Sequence, residues 1–145
     1  MNHVGISVVN LEKSLLFYRD LLGMEVVVLE PFQGEKYELI LGLPGARGRV
    51  ALLRRGPTQI ELFEFSQPAP VTPEPERLVS KHGISHFCIE VEDISETYWR
   101  LKDAGVRFHC APMEFGTEKA TYGRDPDGNA FELLQTIKRP GLERD

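Results

Sequence analysis

The chain repeats itself. Residues 3–22 read HVGISVVNLEKSLLFYRDLL and residues 86–105 read HFCIEVEDISETYWRLKDAG, so an offset of 83 places His3 on His86, Ile6 on Ile89, Val8 on Val91, Asn10 on Asp93 and Leu11 on Ile94. Self-similarity at this scale means that one supersecondary unit is used twice. Each copy opens with a short alternating stretch, which reads as a strand. A cap residue follows, Asn10 or Asp93, whose side-chain oxygen can accept from a free N–H of a first helical turn. Apolar residues then recur at 11, 15, 18 and 22 in the first copy and at 94, 98 and 101 in the second, the stripe of an amphipathic helix. Gly23 and Gly105 stand where a left-handed residue ends a helix.

Strand patterns follow each helix, over 24–30, 49–55 and 59–65 in the first copy and over 107–111, 120–124 and 130–136 in the second. Asp125-Pro126-Asp127-Gly128 joins the last two as a turn, with Pro preset for the second position and Gly free to take positive φ. The unit is β-α-β-β-β, twice. His3 to Glu61 spans 58 residues and His86 to Glu132 spans 46. The extra residues fall between the second and third strands of the first copy, in the stretch 35–48, where helical and strand readings are both open. Pro68, Pro70, Pro73 and Pro75 deny residues 66–82 a ladder or a helix interior, so this stretch is expected to link a first module (2–65) to a second (84–136). The tail 137–145 is polar, and the whole chain reads as a single α+β domain.

Composition excludes several classes. Seventeen Lys+Arg against 22 Asp+Glu give a net charge of -5, without the basic stripe of a nucleic-acid binder. No apolar run reaches the roughly 18 residues of a membrane span, and charged residues come too early for a signal peptide. Cys88 and Cys110 are too few for a disulfide scaffold. A cytoplasmic protein with free thiols, no nucleic-acid partner and no membrane partner is expected.

Side chains alternate along a strand. Val4, Ile6 and Val8, and in the copy Phe87, Ile89 and Val91, form the faces expected to pack under the helices. The opposite faces carry His3 and His86. On the last strands, Glu61 and Glu132 interrupt otherwise apolar patterns. Each module thus supplies one His from its first strand and one Glu from its last. Two imidazoles and two carboxylates suit a first-row divalent ion, with coordination positions left for water or substrate.

With these residues the chain resembles the vicinal oxygen chelate superfamily, which includes glyoxalase I, methylmalonyl-CoA epimerase, extradiol dioxygenases and the bleomycin- and fosfomycin-resistance proteins. The likeness rests on HVGISVVNLEKSLLFYRDLLGM, QIELFEF, GISHFCIEVEDI and GRDPDGNAFELLQ. It implies paired βαβββ modules curled into a half-open mixed-sheet barrel. It also implies one divalent metal (Ni, Mn, Co, Fe or Zn) held by His3, Glu61, His86 and Glu132, nearest in ligand set to glyoxalase I-like members. The implied activity is that of an isomerase or lyase on a small oxygenated acid or acyl compound, acting through an enolate or enediolate with Glu61 or Glu132 as base. Glutathione-dependent members carry Arg and Asn four residues beyond the first and second ligands, where this chain has Ser7 and Phe65. Two alternatives stand beside this reading: a metal-free drug- or metabolite-binding resistance protein, and an Fe(II) dioxygenase, against which Glu61 argues.

Ser7, Phe63, Cys88, Tyr122 and Arg124 are candidate substrate contacts. Cys88 reads first as a small buried thiol, and Arg124 equally as a brace for the Asp125 turn. One module holds half the ligands, so two must meet, within one chain or by exchange between two. A homodimer is expected.

Overall fold

The computed structural model describes residues 1–71 and 77–137, in two compact units, Met1–Glu74 and Pro75–Asp145. The first runs β1 (Val4–Ser7), α1 (Leu11–Leu15, continued as a π-helix over Leu16–Leu21), β2 (Glu25–Gln33), α2 (Glu35–Leu41), β3 (Arg47–Arg55) and β4 (Thr58–Gln67). Its four strands lie in the order β1-β4-β3-β2, with β1 parallel to β4 and the other pairs antiparallel. The second runs β5 (Phe87–Glu90), α3 (Ile94–Asp103), β6 (Arg107–Phe108), β7 (Met113–Phe115), β8 (Glu118–Arg124) and β9 (Ala130–Thr136). Here the order is β5-β9-β8-β6, with β7 also on β8 and β5 parallel to β9. Each sheet is mixed and closes on no second edge of its own, so the α+β expectation holds and the repeat is the repeat of a sheet.

The helices start where the sequence caps them. Asn10, extended at φ -142, accepts from the Lys13 N–H, and Asp93 accepts from the Glu96 N–H at 2.9 Å. A second cap comes from across each unit. Glu64 Oε1 accepts from the Leu11 N–H at 3.0 Å, and Gln135 Oε1 accepts from the Ile94 N–H at 3.1 Å. Each cap satisfies an amide that has no partner within its helix. Because the second comes from the last strand, it also fixes the helix on the sheet. Leu11, Leu15, Tyr18 and Leu22 are buried, as the stripe predicts. The widening to a π-helix is a difference from the simple pattern: Leu22 N–H reaches back to Phe17 O at 2.9 Å, and Phe17 joins Tyr18 in the core. Gly23 and Gly105 take φ of 69° and 90° after their helices, which a side chain would strain.

On the helix side of the first sheet, Ala51, Leu53, Ile60 and Leu62 are buried; Phe131 and Leu133 are their counterparts in the second unit, where Ile94 and Leu101 of α3 are buried as well. Each fully buried side chain of this kind contributes about 1.5–3 kcal/mol.

Several boundaries differ from the expectation. β4 runs on through Ser66 and Gln67, two residues into the stretch expected to link the modules, because a bulge lets it stay paired. Arg47 pairs with Gln67 and Gly48 with Phe65, leaving Ser66 as the extra residue, its hydroxyl donating to Arg47 O at 3.1 Å. Pro73 and Pro75 of the linker, and the tail from residue 138, lie outside the described residues. The stretch between β2 and β3 is helical: α2 turns Tyr37 and Leu41 inward and leaves Ile40 83% exposed. The strand expected over 107–111 stops at Phe108. There the Thr121 hydroxyl donates to Cys110 O at 2.7 Å in place of a ladder bond, and pairing resumes as β7. Among the described residues, no helix is long and apolar enough to cross a membrane.

Gly48 sits at the bulge beneath the Phe32 ring. A methyl group there would overlap the Glu64 carbonyl oxygen and touch the ring edge at 3.0 Å. Gly48→Ala is therefore expected to destabilise the protein by about 2–3 kcal/mol, read as a lower denaturant midpoint with unchanged m. A stability equal to wild type would show that the bulge relaxes freely.

Candidate active site

Strand register builds the same row twice. In the first unit Gly5 pairs with Glu61, which pairs with Leu52 across β1, β4 and β3. In the second, Cys88 pairs with Glu132, which pairs with Tyr122 across β5, β9 and β8. His3 and His86 stand one residue before β1 and β5, over the ends of these rows.

The two His–Glu pairs expected from the sequence form, each inside its own unit. His3 Nε2 lies 3.4 Å from Glu61 Oε2, and His86 Nε2 lies 3.2 Å from Glu132 Oε2. In both, the other ring nitrogen is held by the preceding residue: His3 Nδ1 is 2.8 Å from Asn2 Oδ1, and His86 Nδ1 is 2.8 Å from Ser85 Oγ. The Asn2 oxygen can only accept, so His3 carries its proton on Nδ1 and turns the Nε2 lone pair toward the carboxylate. A neutral imidazole lone pair facing a carboxylate oxygen is closed by a proton or by a cation that both ligate. The pair therefore fits a metal in donor chemistry, and the held Nδ1 is the usual means of fixing a ligating imidazole. Asn2 and Ser85 were not among the expected site residues; the polar residue immediately before each repeat's His is the signal for them. Among the described residues, no group of three or more His, Cys, Asp or Glu within either unit forms a metal shell by itself.

Tyr122 belongs to the second pair. Its hydroxyl is 3.2 Å from His86 Nε2 and its ring meets the His86 ring edge-on at 4.8 Å. Burial, with the negative charge of Glu132, raises the phenol's pKa, so it stays protonated and can donate. His109, unassigned by the repeat, stacks on the Tyr122 ring with centroids 6.2 Å apart. Cys88 departs from the buried-thiol reading. The residue is exposed, because it lies on the face of β5 opposite buried Ile89. Lost hydration at its sulfur, then the Glu132 carboxylate beside it, push the thiol up to about 12. Arg124 braces its turn: Nη1 donates to Gly128 O at 3.0 Å and to Arg77 O at 2.9 Å, and Nε donates to His109 Nε2 at 3.0 Å. Ser7 is exposed on β1 opposite Phe63, and Phe63 lies in an aromatic cluster with Phe32 and Phe65. Within the turn, Asp125 is buried, and its Oδ1 accepts from the N–H groups of Asp127 and Asn129.

The raised thiol has a direct consequence, since the thiolate is the reactive form. At pH 8 only about one Cys88 in ten thousand would be ionised. In metal-free protein Cys88 should therefore resist iodoacetamide at pH 8 despite its exposure, and react progressively faster as pH rises through 10–11. Glu132→Gln removes the adjacent negative charge and should speed the reaction at fixed pH. Peptide mapping that finds rapid alkylation of Cys88 at pH 8 would contradict this placement.

Comparison with known proteins agrees with this architecture. Residues 1–133 match the family model described as Glyoxalase/Bleomycin resistance protein/Dioxygenase superfamily. A probable lactoylglutathione lyase of Synechocystis sp. is 28% identical over 143 residues, covering 94% of this chain and 95% of that protein. The mitochondrial methylmalonyl-CoA epimerase of Mus musculus is 32% identical over 111 residues, covering 74% of this chain and 54% of the mouse protein. A glyoxalase family protein of Bacillus cereus shares the fold, with a TM-score of 0.88 at 23% identity over 95% of this chain and 94% of that one. With the two βαβββ units and their His–Glu pairs in place, the family match over nearly the whole chain settles its membership: the chain belongs to the Glyoxalase/Bleomycin resistance protein/Dioxygenase superfamily.

Proposed function

We propose that the protein is a divalent-metal-dependent isomerase or lyase acting on a small oxygenated acid or acyl compound. The observation that carries this reading is the recurrence, at repeat-equivalent positions, of an imidazole Nε2 turned toward a carboxylate oxygen, with Nδ1 held from behind. Relatives named as a lyase and an epimerase support the reaction class.

His3, Glu61, His86 and Glu132 would hold the metal. Two protein ligands leave a transition-metal shell incomplete, so the reading requires both pairs in one site, supplied by one chain or exchanged between two in a homodimer. When bound, a divalent ion supplies Lewis acidity that polarises a substrate carbonyl and offsets charge developing beside it. The chain's own groups do the rest. Glu61 Oε2 or Glu132 Oε2 accepts the proton from the carbon next to that carbonyl and can return it. The protonated Tyr122 hydroxyl donates a hydrogen bond to a substrate oxygen, where charge grows. Asn2 keeps His3 in the tautomer that exposes Nε2, and Ser85 holds the His86 ring in place through Nδ1.

Protein purified without chelator is expected to carry one first-row divalent ion per chain. His3→Ala and His86→Ala should each remove most of it, because either loss breaks the same shell. Elemental analysis finding no metal, with a melting temperature indifferent to Ni, Mn, Co or Zn, would leave the metal-free binding protein as the correct reading. A mixture of the two variants refolded together should recover metal only if sites form by exchange between chains.

A further inference from the structure

The face of the first sheet that carries Glu61 continues into a set of aromatic rings. Along β4, Ile60, Leu62 and Glu64 turn to α1, where Glu64 caps the helix. Glu61, Phe63 and Phe65 therefore turn the other way, each about 7 Å from the next. Phe63 and Phe65 stack in parallel planes, 5.7 Å apart at 19°, and the buried Phe32 meets them edge-on at 5.4 Å and 5.3 Å. Helix α2 brings Tyr37 to 5.3 Å from Phe32.

Packing under α2 buries Phe32 fully, whereas Phe63 and Phe65 pack against the same cluster and are covered only in part. The repeat shows what the sheet alone needs. Two and four residues past Glu132 stand Leu134 and Thr136, and among the described residues the second unit has no counterpart of α2. There is also room beside the carboxylate. Gly5 pairs with Glu61, and a β-carbon built on Gly5 would meet nothing within 4 Å. Ser7, next along β1, sets an exposed hydroxyl opposite Phe63. An acid-binding end, an open glycine floor and a ring wall thus lie in sequence on one face.

We propose that Phe63, Phe65 and Tyr37 line a subsite for a flat aryl group, which makes the preferred substrates aryl-substituted 2-oxo or 2-hydroxy acids. The proposal rests on the functional reading above for its acid end, while the ring wall can be tested without it. An aryl ring on these side chains gains both apolar burial and aromatic contact, which corresponds to about tenfold or more in affinity over the same acid without the ring.

The test is titration calorimetry of the full chain with lactate and with 3-phenyllactate, in Mn-loaded and in metal-free protein. The expected result is a preference of about tenfold or more for phenyllactate. Phe63→Leu and Phe65→Thr place the second unit's own residues at these positions and should fold. Together they should abolish the preference, bringing the affinity for phenyllactate down to that for lactate. Gly5→Val, which fills the open floor, should weaken phenyllactate more than lactate. Equal affinity for the two acids, or a preference that survives the double substitution in folded protein, overturns the subsite. Failure to take up Mn sinks the metal reading instead, and the metal-free titration then still decides for or against the ring wall.

Discussion

The alternation of side chains along one central strand of each unit governs the rest of the structure. β4 and β9 each have neighbours on both sides, so neither can shift register without turning its whole apolar set out of the core. One face of β4 supplies Ile60, Leu62 and the helix-capping Glu64; one face of β9 supplies Phe131, Leu133 and the capping Gln135. The capping bond ties the helix to the strand at a single residue. Once that face is committed to the helix, Glu61 and Glu132 are forced to the other, level with the residues that follow His3 and His86. The paired imidazole and carboxylate are thus a consequence of how the core is fixed.

This explains how much the sequence revealed. The offset of 83 exposes both strand-helix openings, and period-2 reasoning on Gln59–Phe65 and Ala130–Thr136 is enough to single out the two carboxylates. Caps, stripes and the DPDG turn are local chemistry, and local chemistry is legible. What stayed hidden depends on partners distant in sequence. The bulge at Gly48 arises from a close approach between Phe32, β3 and β4. The interruption after Phe108 depends on the Thr121 hydroxyl, eleven residues beyond the Cys110 carbonyl that it meets. The exposure of Cys88 follows from which side of β5 the second unit leaves open. Asn2 and Ser85 were missed because a polar residue before a histidine is common, and only the geometry shows them bonded to Nδ1.

The copies have kept the pairs and diverged around them. Beside Glu61 stand Gly5 and Leu52; beside Glu132 stand Cys88 and Tyr122. One unit offers space and rings, the other a protonated phenol and a thiol. A repeat used only as scaffold would have no physical need for this difference, since the rows occupy equivalent sheet positions. In the superfamily to which the chain belongs, relatives of near 30% identity carry names for different reactions. Variation in such neighbours, around an unchanged frame, is a direct route to different substrates.

The arginine brackets of the second unit also have a mechanical side. Arg77 donates to His82 O and Ile84 O, and Arg124 joins Arg77 O to Gly128 O of the hairpin. The strap that delivers Ser85 and His86 is thereby riveted to the β8–β9 turn through carbonyls alone, independent of side-chain identity along the strap. Such a joint is stiff against sliding but gives way all at once, since losing Arg124 frees both ends together. The strap and the turn should therefore open as one cooperative element, and His86 keeps its aim for as long as that element stays shut.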